Sequence, residues 1–107
     1  MQSLKSKEEF QEIIQSPKSI FVFSADWCPD CRFIEPFLPQ LEEMFDEYIF
    51  VMVDRDEFID ICQDYDVFGI PSFIAFQHGK EAGRLVSKDR KTKQEVIQFI
   101  EALPNEV

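Results

Sequence analysis

Positive charge is scarce in this chain. Eleven Lys and Arg stand against 21 Asp and Glu in 107 residues, a net charge of −10, with a sequence pI near 4.4. Such a surface repels nucleic acid and anionic membranes, so neither is expected as a partner. Long apolar runs are also missing. The opening "MQSLKSKEEF" has no unbroken apolar stretch of the signal-peptide kind, and no window approaches the roughly 20 apolar residues of a membrane span. A cytosolic, cytoplasmic setting is the expectation. Cysteine is limited to Cys28, Cys31 and Cys62, and histidine to His78. An odd count argues against a disulfide scaffold. In a reducing compartment, a lone C-x-x-C is more often catalytic or metal-binding than a permanent staple. A structural zinc site wants four ligands, usually as two spaced pairs, whereas Cys62 and His78 each stand alone. Neither a metal nor a bound cofactor is expected.

Apolar residues are not lacking. They make up 45% of the chain and include 12 phenylalanines, which predicts a packed interior. A chain of this size buries about two-thirds of its unfolded surface, enough for one core, and no repeat, linker or low-complexity tract divides it. One domain spanning 1–107, acting as a monomer, is expected.

Ser6 with Glu9 reads as a helix start, and Phe10, Ile13 and Ile14 recur at helical spacing until Pro17. "SIFVFSA" (19–25) is β-branched and aromatic on both faces, the mark of a strand buried on both sides. After the cysteines, Ile34, Leu38, Leu41 and Phe45 form one helical stripe, which Pro36 should kink. "YIFVMVD" (48–54) is a second buried strand and "DEFIDICQDYD" an acidic amphipathic helix. "PSFIAFQ", a turn at "HGK" and "EAGRLVS" make a hairpin. Thr92 with Glu95 opens a last helix that stops before Pro104. The order α-β-α-β-α-β-β-α predicts an α/β fold, a central mixed sheet of about four strands flanked by helices.

Cys28 falls where the first buried strand gives way to a helix. Helix N-terminal N–H groups favour a thiolate there, so Cys28 is the expected nucleophile. Cys31, one turn on, lies within reach of a disulfide that can form and break. Pro29 suits the first helical turn. This placement favours redox chemistry over zinc.

"WCPDC" (27–31), Pro36, "GIPSF" (69–73) and "FQHGKEAGRL" (76–85) together resemble the thioredoxin family, and the element order matches over nearly the whole chain. The resemblance implies a cis Pro71 facing the cysteines. It implies that the backbone of Ile70 pairs with a substrate chain beside Pro71, and that Trp27 forms an apolar rim. It also implies a thiol-disulfide oxidoreductase acting on protein or small-molecule disulfides and recharged by a thioredoxin reductase. Pro29-Asp30 stands where the family commonly has Gly-Pro. Val22 replaces a buried aspartate, Met52 or Val53 a nearby lysine, and Ser87 a loop glycine. A redox-sensing binding module with little turnover is the alternative function, and a zinc adaptor a more distant one.

Asp30 and Asp26 are candidate tuning residues. Asp30 places a negative charge near both sulfurs, and Asp26 either substitutes for the absent buried acid or is simply solvated. Cys62, among Phe58, Ile61 and Tyr65, reads as a small buried hydrophobe. "KDRKTK" (88–93) reads as a solvated loop, with a dock for an acidic partner as the other possibility.

Overall fold

Alternation along one strand builds both sides of the molecule. In the computed structural model, which describes residues 1–104, β2 (Ser19–Ser24) is buried at all six positions. Phe21 and Phe23 point into one apolar cluster, and Ile20 and Val22 into another. This is the period-two geometry of a strand covered on both faces. The same division runs through β3 (Ile49–Asp54) and β4 (Ser72–Gln77). Val51, Val53, Ile74 and Phe76 join the first cluster; Phe50, Phe73 and Ala75 join the second.

Helix α1 (Lys7–Ile13) and helix α4 (Ile59–Asp64) cover the first face. Its centre is aromatic, with Phe10 against Phe21 at 4.8 Å between ring centroids and Tyr65 edge-on to Phe76 at 5.6 Å. The second face carries α2 (Pro29–Ile34), a 3-10 turn at Glu35–Phe37, α3 (Leu38–Met44) and α5 (Lys93–Glu101). The kink expected at Pro36 is this 3-10 turn. Pro lacks the N–H that would continue the α ladder.

The sheet is mixed, in the order β1-β3-β2-β4-β5. It has five strands, against the expected four or so. Gln2–Ser3 forms a two-residue β1 pairing parallel to β3, and Leu4 N–H extends the ladder to Met52 O at 2.8 Å. Two residues are too short for any periodicity to show. The hairpin of β4 and β5 (Lys80–Leu85) turns at His78 and Gly79, both with positive φ. Its tip donates to the end of α1, His78 N–H to Ser16 O and Gly79 N–H to Ile14 O.

The caps show which sequence signals sufficed. Thr92 and Glu95 form the full reciprocal box at α5. At α1, Ser6 Oγ accepts the Glu9 N–H at 3.0 Å, but the Glu9 carboxylate reaches back to the Lys5 N–H. Helix α4 begins only at Ile59, because Asp54 Oδ1 takes the N–H groups of Asp56 and Glu57 and holds that stretch in a turn.

Candidate active site

The C-terminal end of β2 sets the position of the cysteines. Ala25 O accepts the Cys28 N–H at 3.2 Å, and Cys28 caps α2 in an extended conformation. Its Sγ accepts the Cys31 N–H at 3.3 Å and lies 4.0 Å from the Ile70 carbonyl oxygen. Cys28 is 6% exposed and Cys31 not at all. Both are free thiols. Pro29 occupies the first turn of α2, exposed.

Cys31 is held as a thiol. Burial pushes its pKa up to about 11, and the hydrogen bond with Cys28 adds to the rise. The Ala25 backbone and the Ser24 hydroxyl pull the other way by smaller amounts. Among the described residues no carboxylate is buried. Val22 lies wholly buried among Ile34, Phe37 and Leu38.

The Ile70–Pro71 peptide is cis, as the resemblance implies, and Ile70 packs against Ala25, Cys28 and Cys31. Gly69, just before it, is obligatory: a Cβ there would lie 2.4 Å from Ser87 O. The loop that follows β5 therefore sits directly on the loop beside the cysteines.

A groove of about 260 Å³ opens over Cys28, with Trp27, Phe68, Ile70, Arg55 and Lys88 on its walls. Trp27 is 59% and Phe68 65% exposed, unusual for side chains of their size. Trp27 is nevertheless fixed. Its indole N–H donates to Asp56 Oδ2 at 2.7 Å, Asp56 also pairs with Arg55 at 3.1 Å, and the Arg55 guanidinium lies over the ring. Phe68, Arg55 and Asp56 went unnoticed in the sequence. Phe68 reads there as one more core phenylalanine, and the Trp27–Asp56 bond spans 29 residues with no local signature.

Asp30 and Asp26 part company. Asp30 accepts from Arg90 Nε at 2.9 Å, and the Arg90 guanidinium stacks 4.3 Å from the Phe33 ring centre. The Asp30 charge thus has a counter-ion. Asp26 is exposed. It lines a separate cavity of about 250 Å³ with Ser3, Met52, Asp54 and Glu57, while its backbone carbonyl accepts from Arg32. The solvated-loop reading of 88–93 needs correction at two residues: Arg90 is engaged by Asp30, and Lys91 is 2% exposed. Cys62 is buried beside Ile61 and Val67, as expected.

No helix among the described residues is long and apolar enough to cross a membrane. The thioredoxin family model matches residues 2–102. Thioredoxin from Oryctolagus cuniculus is 32% identical over 100 residues, covering 91% of this chain and 95% of that one. Mitochondrial thioredoxin-2 from Schizosaccharomyces pombe is 37% identical over 75 residues, 70% of this chain and 56% of that protein's length. Among solved structures, the oxidised form of mitochondrial thioredoxin 3 from Saccharomyces cerevisiae superposes with a TM-score of 0.84 at 26% identity, covering 96% of this chain and 95% of that one.

Proposed function

The chain belongs to the thioredoxin family of thiol-disulfide oxidoreductases, and from that premise we propose that Cys28 and Cys31 form a dithiol-disulfide couple that reduces disulfides in proteins or small molecules. One observation carries the reading. Cys28 Sγ faces the groove, accepting the Cys31 N–H, while Cys31 is buried behind it as a thiol. A sulfur that accepts a backbone N–H is better able to bear negative charge, and a sulfur that faces the groove can reach a substrate. In the first step the Cys28 thiolate attacks a substrate disulfide, forming a mixed disulfide and expelling one thiolate. In the second, Cys31 gives up its proton and attacks the Cys28 sulfur. The Cys28–Cys31 disulfide forms, and the second substrate thiolate leaves and is protonated.

The supporting groups follow from position. The Ile70 carbonyl, beside cis Pro71 and 4.0 Å from Cys28 Sγ, would hold the substrate backbone. Trp27, pinned by Asp56, would be one apolar wall and Phe68 the other. Pro29 and Asp30 tune the couple from within the first turn. Asp26, exposed and lining the other cavity, would act on Cys31 through water. The unit acts as a monomer over 1–107, without a resident cofactor, and a thioredoxin reductase supplies its electrons. A cytosolic setting belongs to the same proposal and is tested by fractionation, a mitochondrial location being the contrary result.

The deciding experiment is a coupled assay with NADPH, a thioredoxin reductase and a disulfide-bonded protein such as insulin. Catalytic NADPH consumption that is lost in Cys28→Ser is the expected result. Stoichiometric oxidation without turnover would overturn the enzymatic reading in favour of a redox-sensing module.

A further inference from the structure

The groove over Cys28 differs in charge from the rest of the molecule. Its walls carry Arg55 and Lys88 against the single acid Asp30, in a chain whose net charge is −10. Two other cavities show the opposite sign. The one of about 250 Å³ holds Asp26, Asp54 and Glu57, and one of about 380 Å³ beside Cys62 holds Asp66. Among the described residues neither is lined by Lys or Arg.

The backbone holds both cations of the groove in place. Arg55 N–H donates to Ser24 O at 2.8 Å, extending the pairing of β3 with β2, and its guanidinium lies 5.8 Å from the Trp27 ring centre. Lys88 belongs to the loop after β5, whose backbone at Ser87 and Lys88 closes on Gly69, next to Ile70. Lys88 is exposed, and its ammonium group has no ion pair among the described residues.

The acids close to the groove are already engaged. Asp30 binds Arg90 at 2.9 Å. Asp56 gives one carboxylate oxygen to the Trp27 indole N–H at 2.7 Å and the other to Arg55 at 3.1 Å. That pair occupies one of the five N–H donors of an arginine side chain. Asp89, next to Lys88, is exposed to water.

Resting on the function proposed above, we propose that this groove selects polypeptide disulfides flanked by Asp or Glu, whose carboxylates meet Arg55 and Lys88. The occupant is a polypeptide because Trp27 and Phe68, both exposed, offer apolar surface to the residues on either side of its cysteine. A carboxylate in the groove is attracted at contact range. The −10 charge is spread over the whole surface, and beyond about 10 Å it is largely screened in 0.1 M salt. An exposed ion pair of this kind changes a binding constant by up to about fivefold.

The test is single-turnover reduction, by reduced protein, of three peptides, each dimerised through a disulfide at one central cysteine. They differ only in the two residues flanking that cysteine, which are Glu, Gln or Lys. Released peptide thiol is measured by chromatography after acid quenching. Each rate is divided by that of the same peptide with dithiothreitol, a neutral dithiol, which removes differences in intrinsic disulfide reactivity. In about 50 mM salt the Glu peptide should react about tenfold faster than the Lys peptide, with the Gln peptide between. In about 0.5 M salt the gap should narrow to about twofold. Lys88→Met and Arg55→Met should each lower the Glu-to-Lys rate ratio by about threefold, a ratio that a general loss of activity leaves alone. A Lys peptide that reacts as fast as the Glu peptide in wild type, or a ratio unmoved in both folded variants, overturns the inference and leaves the redox couple intact. Reduction of none of the three peptides sinks the couple and the inference together. The wild-type order and its salt dependence need no variant, so a substitution that fails to fold leaves the test decisive.

Discussion

Cys31 in α2 and Cys62 in α4 are both buried, at 0% and 2% exposure, and burial pushes both thiols up. Their surroundings differ. Cys62 packs among Phe58, Ile61 and Val67 on the aromatic side of the sheet, and the nearest charges, Arg55 and Asp56, pull it in opposite directions. Cys31 has a second sulfur one turn away and hydrogen-bonding groups of Ser24 and Ala25 at the end of β2. Burial alone makes a thiol inert. It becomes useful where a partner sulfur receives the attack and the surroundings can steady the thiolate when it forms.

The largest break in this comparison should come from the sulfurs themselves. Cys28→Ser is expected to lower disulfide reduction by about a hundredfold or more, because a hydroxyl cannot replace a thiolate nucleophile. Cys62→Ser should stay within about twofold of wild type in the coupled assay.

The next effect is on stability against pH. An unfolded thiol titrates near 9.0, but Cys31 in the folded protein holds its proton to about 11. Its contribution is therefore fully present below pH 9 and lost as pH rises through 11. A gap of that size corresponds to roughly 2–3 kcal/mol. Cys62 contributes with the same sign. Oxidation of the Cys28–Cys31 pair removes only the Cys31 part, so denaturation midpoints should fall less steeply from pH 9 to 11 in the oxidised protein. Equal slopes in the two forms would contradict the assignment.

Smaller changes sharpen the contrast. Cys62→Ala should cost about 1 kcal/mol, the loss of one buried sulfur in a packed core, measured by urea denaturation. Pro29→Gly with Asp30→Pro should raise the rate on general protein disulfides by about threefold, because a negative charge near both sulfurs opposes thiolate formation. Arg90 offsets part of that charge through the 2.9 Å pair, which keeps the expected gain small. An unchanged rate in a folded double variant would remove the tuning role.

Much of the frame was legible in the sequence because its signals are local. β2 announces itself through apolar residues on both faces, α5 through Thr92 and Glu95, and the hairpin through "HGK". β1 was legible only as a vestige in "MQSL", because two residues carry no periodic pattern. α4 came out shorter than its apolar spacing suggests because Asp54 takes the first N–H groups of that segment. At the site, Cys28, Cys31, Trp27, Ile70 and Pro71 are brought together, and each was marked by a motif. Arg90 and Lys91 were not. In "KDRKTK", six polar residues in a row look like a solvated turn, and only the folded chain shows Ser87 resting on Gly69 and Arg90 reaching across 60 residues to Asp30. Trp27 and Asp56 meet in the same long-range way.

The central claim is a division of labour between two sulfurs, and covalent trapping tests it most directly. Single serine variants of Cys28, Cys31 and Cys62, reduced and then mixed with a disulfide-bonded protein, are separated by non-reducing electrophoresis. Cys31→Ser should accumulate mixed disulfides that reductant releases, since Cys28 still attacks and nothing resolves the product. Cys28→Ser should trap almost none, and Cys62→Ser should turn over as wild type does. Equal trapping by Cys28→Ser and Cys31→Ser, or complexes that vanish when Cys62 is also replaced, would contradict the account.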